Sequence, residues 1–214
     1  MQKIYKFVTL LIFTVVTSAI ILNTLNVQAQ TTTVNINPGD NIQNSVNSNP
    51  ENTTFILKPG TYRLQSITPK NGNIFHGENG AILNGSTLVT TWVKQGAYWV
   101  ASNQTQSEVN GGECESEYPR CGHTADLFIN STPVKHVDAL AKVGAGSYFF
   151  DYAADKVYLG DDPTGKTVEI ATSPFAFKSN ASNVTIKNLV IEKYATPLQN
   201  ATVQADGANG WVVE

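Results

Sequence analysis

Short runs of β-forming residues, each closed by glycine, asparagine or proline, recur through this sequence and favour an all-β architecture. The runs at residues 55–57, 74–75 and 81–83 are separated by Pro-Gly and Asn-Gly turn signals. From Ile56 to Ile74 the step is 18 residues. A strand-and-turn unit that recurs at about 20 residues is typical of a solenoid, so the pattern predicts a repetitive β structure.

The same pattern returns near the C-terminus. Within residues 183–192, Val184 and Ile186 are predicted to face inward. Asn188 then resets the alternation, which suits a sharp bend with this residue in the left-handed region of backbone space. The step from Val184 to Val212 is 28 residues, which indicates a longer unit of the same kind.

The segment ahead of these strands predicts a cap. Residues 31–38 alternate in the manner of a strand. Asp40 is well placed to cap a short helix over residues 41–47, in which Ile42 and Val46 share one face. A helix of that length is too short to stand alone, so we expect it to cover the first strands.

Residues 87–170 differ from the segments on either side, because two of the three tryptophans and most of the tyrosines lie there. Hairpins are predicted within residues 92–100, 127–137 and 147–159, each with a turn signal between its strands. We interpret the segment as a compact antiparallel insert with a small core of its own.

The first strands resemble a known family. Residues 40–86 contain the short helix, the run Phe-Ile-Leu-Lys-Pro-Gly-Thr-Tyr and then Asn-Gly-Ser. They resemble the N-terminal cap and first rungs of right-handed parallel β-helix proteins of the pectin-lyase-like fold, and residues 183–214 resemble a later rung. The insert is similar to that of some β-helix glycoside hydrolases and polysaccharide lyases. The resemblance implies an all-β, right-handed parallel β-helix with a short capping helix and an antiparallel β insert.

The resemblance also divides the chain. The predicted segments are a signal peptide, the cap with the first rungs, the insert and further rungs, at residues 1–29, 30–86, 87–170 and 171–214. The solenoid stretches total about 100 residues, enough for about four rungs. Because an open terminal rung leaves unpaired backbone and an apolar edge, we expect these 214 residues to be the front part of a longer protein. A short protein capped by dimerisation is the alternative.

The first 29 residues predict an export signal. Lys3 and Lys6 form a basic head, residues 7–22 are uncharged and mostly apolar, and cleavage is expected between Ala29 and Gln30. An uncleaved anchor is the alternative, because the apolar run approaches the ~18 residues that span a bilayer. The mature protein is expected outside the cell, in the periplasm or at the cell surface, with no stable membrane span.

Cys114 and Cys121 are the two cysteines of the chain. In an oxidising compartment a pair this close most simply forms one disulfide that closes a loop. A metal site that adds His123 is the alternative, but it lacks a fourth ligand at convincing spacing. The alternating glutamates of residues 113–117 are interpreted as a solvated loop, with calcium binding as the alternative, and no cofactor is predicted.

The formal net charge of -3 does not favour nucleic acid as a partner, because such a surface does not attract a phosphate backbone. Residues 160–167, Gly-Asp-Asp-Pro-Thr-Gly-Lys-Thr, formally match the phosphate-loop pattern. That motif needs a following helix, whereas residues 168–170 predict a strand, and Asp161 and Asp162 would repel phosphate. We interpret the match as a turn and expect no nucleotide.

Carbohydrate cleavage usually needs two carboxylates on one face of a protein. The charged residues predicted to face outward on the later rungs form no recognisable pair, so the catalytic residues stay unassigned. These outward candidates are Lys187, Glu192, Asp206 and Glu214.

Two functions are consistent with these features. The first is the N-terminal part of an exported β-helix protein that acts on polysaccharide, as a lyase or a glycoside hydrolase, with catalytic rungs beyond Glu214. The second is a non-catalytic solenoid that holds glycans on exposed aromatic residues such as Trp92, Trp99 or Tyr118. Both predict a polysaccharide or a glycan surface as the partner.

Overall fold

The computed structural model of the protein describes residues 32–109 and 111–214. The predicted signal and its cleavage point at Ala29 and Gln30 lie outside the described residues. Over these residues one α-helix, α1 (Ile42–Ser48), and one 3₁₀ helix (Leu140–Lys142) accompany many short strands. In chain order the strands are β1 (Thr33–Ile36), β2 (Thr54–Leu57), β3 (Gly60–Arg63), β4 (Ile74–Gly77), β5 (Ala81–Asn84), β6 (Ser86–Leu88), β7 (Val93–Gln95), β8 (Tyr98–Ser102), β9 (Leu127–Ile129), β10 (Thr132–Pro133), β11 (Lys135–His136), β12 (Ser147–Asp151), β13 (Lys156–Leu159), β14 (Val168–Ala171), β15 (Phe177–Ser179), β16 (Thr185–Lys187), β17 (Val190–Glu192), β18 (Val203–Ala205) and β19 (Val212–Val213).

The prediction of a mostly β protein is confirmed, and the strands form several sheets. Three sheets are parallel, with the strand orders β1-β2-β4-β16-β19, β3-β5-β17 and β15-β18. In the largest sheet each later pass of the chain lies beside an earlier one. The register of the strands corrects two of the predicted repeat lengths. Ile56 pairs with His76 rather than with Ile74. Val212 pairs with Thr185 rather than with Val184.

The turn before each later strand of the largest sheet has the same backbone conformation. Asn52, Gly72, Asn183 and Gly210 lie two residues before β2, β4, β16 and β19, with φ angles of 60°, 67°, 59° and 73°. The backbone N–H of each of the first three donates to a carbonyl in the next turn of this set, at 2.8 to 2.9 Å. Asparagine and glycine tolerate the left-handed region better than other residues, which explains why these two types recur here.

The side chains enclosed by the parallel sheets form one core. At its centre the ring of Phe75 lies 5.1 Å from the ring of Phe55 and 5.0 Å from the ring of Phe177, measured between centroids. Val184 and Ile186 face this core and are buried, as predicted. Asn188 has the predicted left-handed conformation, with φ of 53°.

Helix α1 covers the same core, because both Ile42 and Val46 are fully buried in it. The predicted cap is corrected by one residue. The side chain of Asn41 accepts a hydrogen bond from the N–H of Asn44 at 2.8 Å, which is the usual N-cap arrangement. Asp40 lies outside the helix and accepts a hydrogen bond from the N–H of Asn37 at 2.7 Å.

The strands from β6 to β14 form two sheets that are largely antiparallel, with the orders β10-β9-β14-β6 and β11-β12-β13-β8-β7. They enclose a second core, whose buried members lie between Val89 and Ile170. The first and third predicted hairpins are present. The second is corrected, since β9 pairs with β10 while β11 joins the other sheet parallel to β12. The domain boundaries at residues 87 and 170 stay a prediction.

Candidate functional site

A groove of about 490 Å³ opens beside the second core. It forms where the segment after β6 and the strand β8 meet the turn that precedes β14. We call it the tryptophan groove. Its lining residues are Leu88, Val89, Thr90, Trp92, Trp99, Pro163, Thr164, Gly165, Lys166, Thr167 and Val168.

Both tryptophans of the groove are half-buried and pack against the second core. The indole N–H of Trp92 donates to the carbonyl of Val89 at 3.0 Å. Trp99 lies on β8 between Lys94 and Leu159 of the neighbouring strands, and the Lys94 ammonium is 5.1 Å from its ring centroid. These contacts hold the two rings in place, so the groove has preformed aromatic walls.

The other wall of the groove is formed by residues 163–168, most of which belong to the segment that formally matched a phosphate loop. Strand β14 follows it directly, and the turn is closed by the N–H of Lys166, which donates to the carbonyl of Pro163 at 3.0 Å. Hydrogen bonds from Thr164 hold the pKa of Asp162 below its usual value. The segment is a turn, as interpreted from the sequence, and it presents the exposed side chains of Thr164, Lys166 and Thr167.

A second group of polar side chains lies where β14 meets the parallel sheets. Its centre is Glu169, a carboxylate only 2% exposed that pairs with two cations. Its Oε1 is 2.7 Å from Arg63 Nη1, and its Oε2 contacts Lys193 Nζ. We call this group the Glu169 cluster. Its members are Arg63, Asn84, Ser86, Glu169, Glu192 and Lys193.

The Glu169 cluster contains two neighbouring carboxylates. The side-chain amide of Asn84 donates to Glu192 at 2.9 Å and to Glu169 at 3.3 Å. Burial acts to raise the pKa of Glu169, but hydrogen bonds from Lys193 and Arg63 outweigh it and hold the pKa below the usual value. A carboxylate that stays ionised in this way is a poor proton donor. We therefore interpret the cluster as the joint between strands β6 and β14 and the parallel sheets.

The other outward candidates are Lys187, Asp206 and Glu214, which differ in exposure. Lys187 is half-buried on β16, and Glu214 is exposed. Asp206 is exposed and lies 3.9 Å from Lys178. Across residues 32–109 and 111–214, no hydrogen bond or ion pair joins any two of the four candidates. We assign no catalytic pair among them.

The predicted disulfide between Cys114 and Cys121 is confirmed, with the two Cα atoms 5.7 Å apart. Both sulfurs are used in that bond, so the alternative metal site with His123 is wrong. The glutamates of residues 113–117 are exposed. In the part of the chain that the structure describes, no group of three His, Cys, Asp or Glu side chains is placed to hold a metal ion.

The disulfide closes a loop, residues 114–121, that borders another cavity of about 380 Å³. Tyr118, the third aromatic candidate, lies here with 56% of its surface exposed and not in the tryptophan groove. We call this the disulfide-loop cavity. Its lining residues are Tyr118, Arg120, Cys121, Asp126, Pro133, Val134, Lys135 and His136.

Sequence reasoning missed the wall at residues 163–168 and the role of Glu169. A signal for Glu169 was present, because it is a lone acid between Val168 and Ile170 in an apolar strand. A charge at such a position is rarely buried without a partner. The groove wall had no comparable signal, since it lies opposite Trp92 and Trp99 only after β6 and β14 pair.

Comparisons with known proteins give a fold likeness. No protein-family model matches the sequence, and no curated protein matches it. A solved structure of XylC in complex with xylose superposes with a TM-score of 0.65 at 17% identity, covering 81% of this chain and 36% of that one. A structure described as a glycoside hydrolase superposes with a TM-score of 0.46 at 11% identity, covering 76% of this chain and 51% of that one. The chain thus spans about a third of the length of XylC, and the likeness concerns the fold.

No helix within residues 32–109 and 111–214 is both long enough and apolar enough to cross a membrane.

Proposed function

We propose that this chain is the carbohydrate-binding front part of an exported protein that acts on polysaccharide and is built on a right-handed parallel β-helix. The observation that carries the proposal is the tryptophan groove. Its volume of about 490 Å³ falls within the ~300–1,000 Å³ of small-molecule sites, which combine aromatic walls with a few placed polar groups.

The chemistry of the groove suits a neutral sugar. The C–H face of a pyranose or furanose ring is apolar and packs on an indole, while its rim of hydroxyl groups needs donors and acceptors. Trp92 and Trp99 supply the flat apolar surface. Thr164 and Thr167 can donate to and accept from sugar hydroxyls, and Lys166 can donate to them.

The topology supports the β-helix part of the proposal. Parallel pairing of successive passes, with a left-handed residue at the same turn each time, is the arrangement expected of a coiled chain. The XylC structure supports the proposed fold, because it superposes over most of this chain. It also supports the proposed class of ligand, because it contains a bound sugar, xylose. The right-handed coil and the kinship with pectin-lyase-like proteins remain parts of the proposal.

Polysaccharide cleavage, by a hydrolase or a lyase, is proposed of the whole protein rather than of these residues. Glu169 does not supply the proton donor of an acid and base pair, because it is held ionised between two cations and is only 2% exposed. We propose that the catalytic rungs lie outside the described residues. Export is proposed on the basis of the disulfide and of the sequence of residues 1–29.

Binding to the groove is tested by titrating the chain with xylo-oligosaccharides and with other neutral oligosaccharides in a calorimeter. We expect Trp99→Ala to weaken binding about tenfold or more, as truncation of a central aromatic contact usually does. Lys166→Ala changes an exposed residue and should weaken binding without affecting folding. Tyr98→Ala is the matched control, because Tyr98 adjoins Trp99 on β8 and does not line the groove.

The proposal fails if no neutral oligosaccharide binds, or if Trp99→Ala and Lys166→Ala bind as tightly as the original chain. The activity proposed of the whole protein is tested separately, by incubating its full-length product with a panel of polysaccharides. Retention on an insoluble glycan without release of fragments would support the non-catalytic alternative instead.

A further inference from the structure

The disulfide-loop cavity has a different chemistry from the tryptophan groove. Two of its lining residues are cations, Arg120 and Lys135, and one is an acid, Asp126. The Lys135 ammonium lies 5.2 Å from the centroid of the Tyr118 ring. An exposed aromatic ring and two cations therefore border one concave surface of about 380 Å³.

Arg120 is fixed in place by its terminal nitrogens. Nη1 lies 2.8 Å from His123 Nε2 and 3.4 Å from Glu108 Oε1, and Nη2 donates to the carbonyl of Asp138 at 3.4 Å. Its Nε is buried and has no hydrogen-bond partner among the described residues. A guanidinium held this way keeps a fixed orientation at little further cost in conformational entropy.

His136 supplies a second set of unpartnered polar atoms in the same wall. The residue is 9% exposed, and neither of its ring nitrogens has a partner within the described part of the chain. Its ring stacks on Tyr148 with the centroids 4.4 Å apart and meets the edge of His123 at 5.3 Å. A buried polar group without a partner is destabilising, so a ligand that pairs with it gains affinity.

We propose that the disulfide-loop cavity binds the carboxylate of an acidic sugar, a uronic acid residue of a polysaccharide. Lys135 pairs with the carboxylate, the remaining N–H of Arg120 Nη2 and the His136 ring donate to it, and the Tyr118 ring packs against the sugar face. Asp126 accepts hydrogen bonds from sugar hydroxyls. The inference shares with the proposed function only the premise that the ligand is a carbohydrate, and it concerns a separate site.

The nature of the lining favours a carboxylate over a metal cation, because Arg120 and Lys135 repel cations. The disulfide has a role in this site, since Tyr118 and Arg120 both lie inside the loop that it closes. Opening the loop would release two of the five residues that the site uses to recognise the sugar.

The test uses three probes that separate the carboxylate from the sugar ring: glucuronate carries both, glucose only the ring and acetate only the carboxylate. Each is titrated into the chain by calorimetry or by NMR. We expect glucuronate to bind about tenfold or more tighter than glucose, because hydrogen bonds to charged groups contribute most here. Acetate should bind more weakly than glucuronate, since it lacks the ring that packs on Tyr118. Equal binding of all three probes, or no binding of glucuronate, would overturn the inference.

Two exposed positions allow variants that do not disturb the core. Lys135→Gln should weaken glucuronate binding about tenfold, and Tyr118→Ala about threefold to tenfold. Lys142→Gln is the matched control, because Lys142 is an exposed cation of the insert that does not line this cavity. Glucuronate affinity that is the same in all three variants would contradict the assignment.

The outcome is separable from that of the proposed function. Trp99→Ala should leave glucuronate binding at this cavity unchanged while it weakens neutral oligosaccharides, and Lys135→Gln should do the reverse. If neutral oligosaccharides fail to bind and glucuronate binds, the tryptophan groove proposal fails and this one stands.

Discussion

At the scale of single residues, the parallel sheets depend on a few positions with left-handed backbone. Asn183 is one of these, with φ of 59° at an exposed turn. A β-branched side chain in that conformation is strained, at a general cost of about 1–2 kcal/mol. We expect Asn183→Val to lower the free energy of unfolding in urea by that amount. Asn183→Gly should leave it nearly unchanged, and equal stability of the two variants would contradict the assigned conformation.

His136 gives the protein a stability that depends on pH. Burial lowers its pKa from 6.5 to about 3, with a smaller effect from His123. Between these values the unfolded chain takes up a proton that the folded chain does not, so stability falls as the pH falls from about 6.5 toward 3. Between pH 7.5 and pH 5 the loss from this one group is about 2 kcal/mol.

Replacing His136 tests this directly, because phenylalanine keeps the stacking on Tyr148 and cannot titrate. We expect the change in unfolding free energy between pH 7.5 and pH 5 to be about 2 kcal/mol smaller in His136→Phe than in the original chain. Urea unfolding at the two pH values measures it. An unchanged difference would show that His136 titrates as it does in the unfolded chain.

At the scale of elements, the Glu169 cluster joins β14 to the parallel sheets. Glu169→Gln would leave the Lys193 ammonium, 7% exposed, beside a neutral amide. Breaking a buried ion pair from one side generally costs about 3–5 kcal/mol, and we expect that loss of stability here.

The Lys58–Glu78 pair is the matched control, because both side chains are more than a third exposed. Glu78→Gln should cost less than about 1 kcal/mol. Unfolding in urea followed by circular dichroism compares the two variants. Equal losses would show that Glu169 is not part of a buried joint.

Most elements could be predicted from the sequence, whereas their exact pairing could not. Alternation and turn residues predicted β1, β2, β4 and the hairpins β7-β8 and β12-β13. The predicted strand register was wrong by two residues at Ile56 and by one residue at Val212. The number of residues in the intervening turns sets which residues pair, and the alternation within a strand does not reveal it. Strand β11 was assigned to the wrong partner, since the bend after Pro133 that sends it to the other sheet has no distinct sequence pattern.

At the scale of the whole molecule, the proposed binding surfaces form between segments that are distant in the chain. The tryptophan groove needs residues 88–99 on one side and residues 163–168 on the other, and the pairing of β6 with β14 brings them together. Trp92, Trp99 and Tyr118 were singled out as exposed aromatic candidates. Tyr118 is exposed, whereas the two tryptophans are half-buried. The division of these three residues between two cavities could not be predicted, because it depends on how the two largely antiparallel sheets pack.

The proposed function depends on a neutral sugar occupying the tryptophan groove. A crystal structure of the chain soaked with a xylo-oligosaccharide at saturating concentration would show whether it does. We predict a sugar ring packed on the indole of Trp92 or Trp99, with its hydroxyls within hydrogen-bond distance of Thr164, Lys166 or Thr167. An oligosaccharide bound elsewhere on the described residues, with no sugar in the groove, would contradict the account.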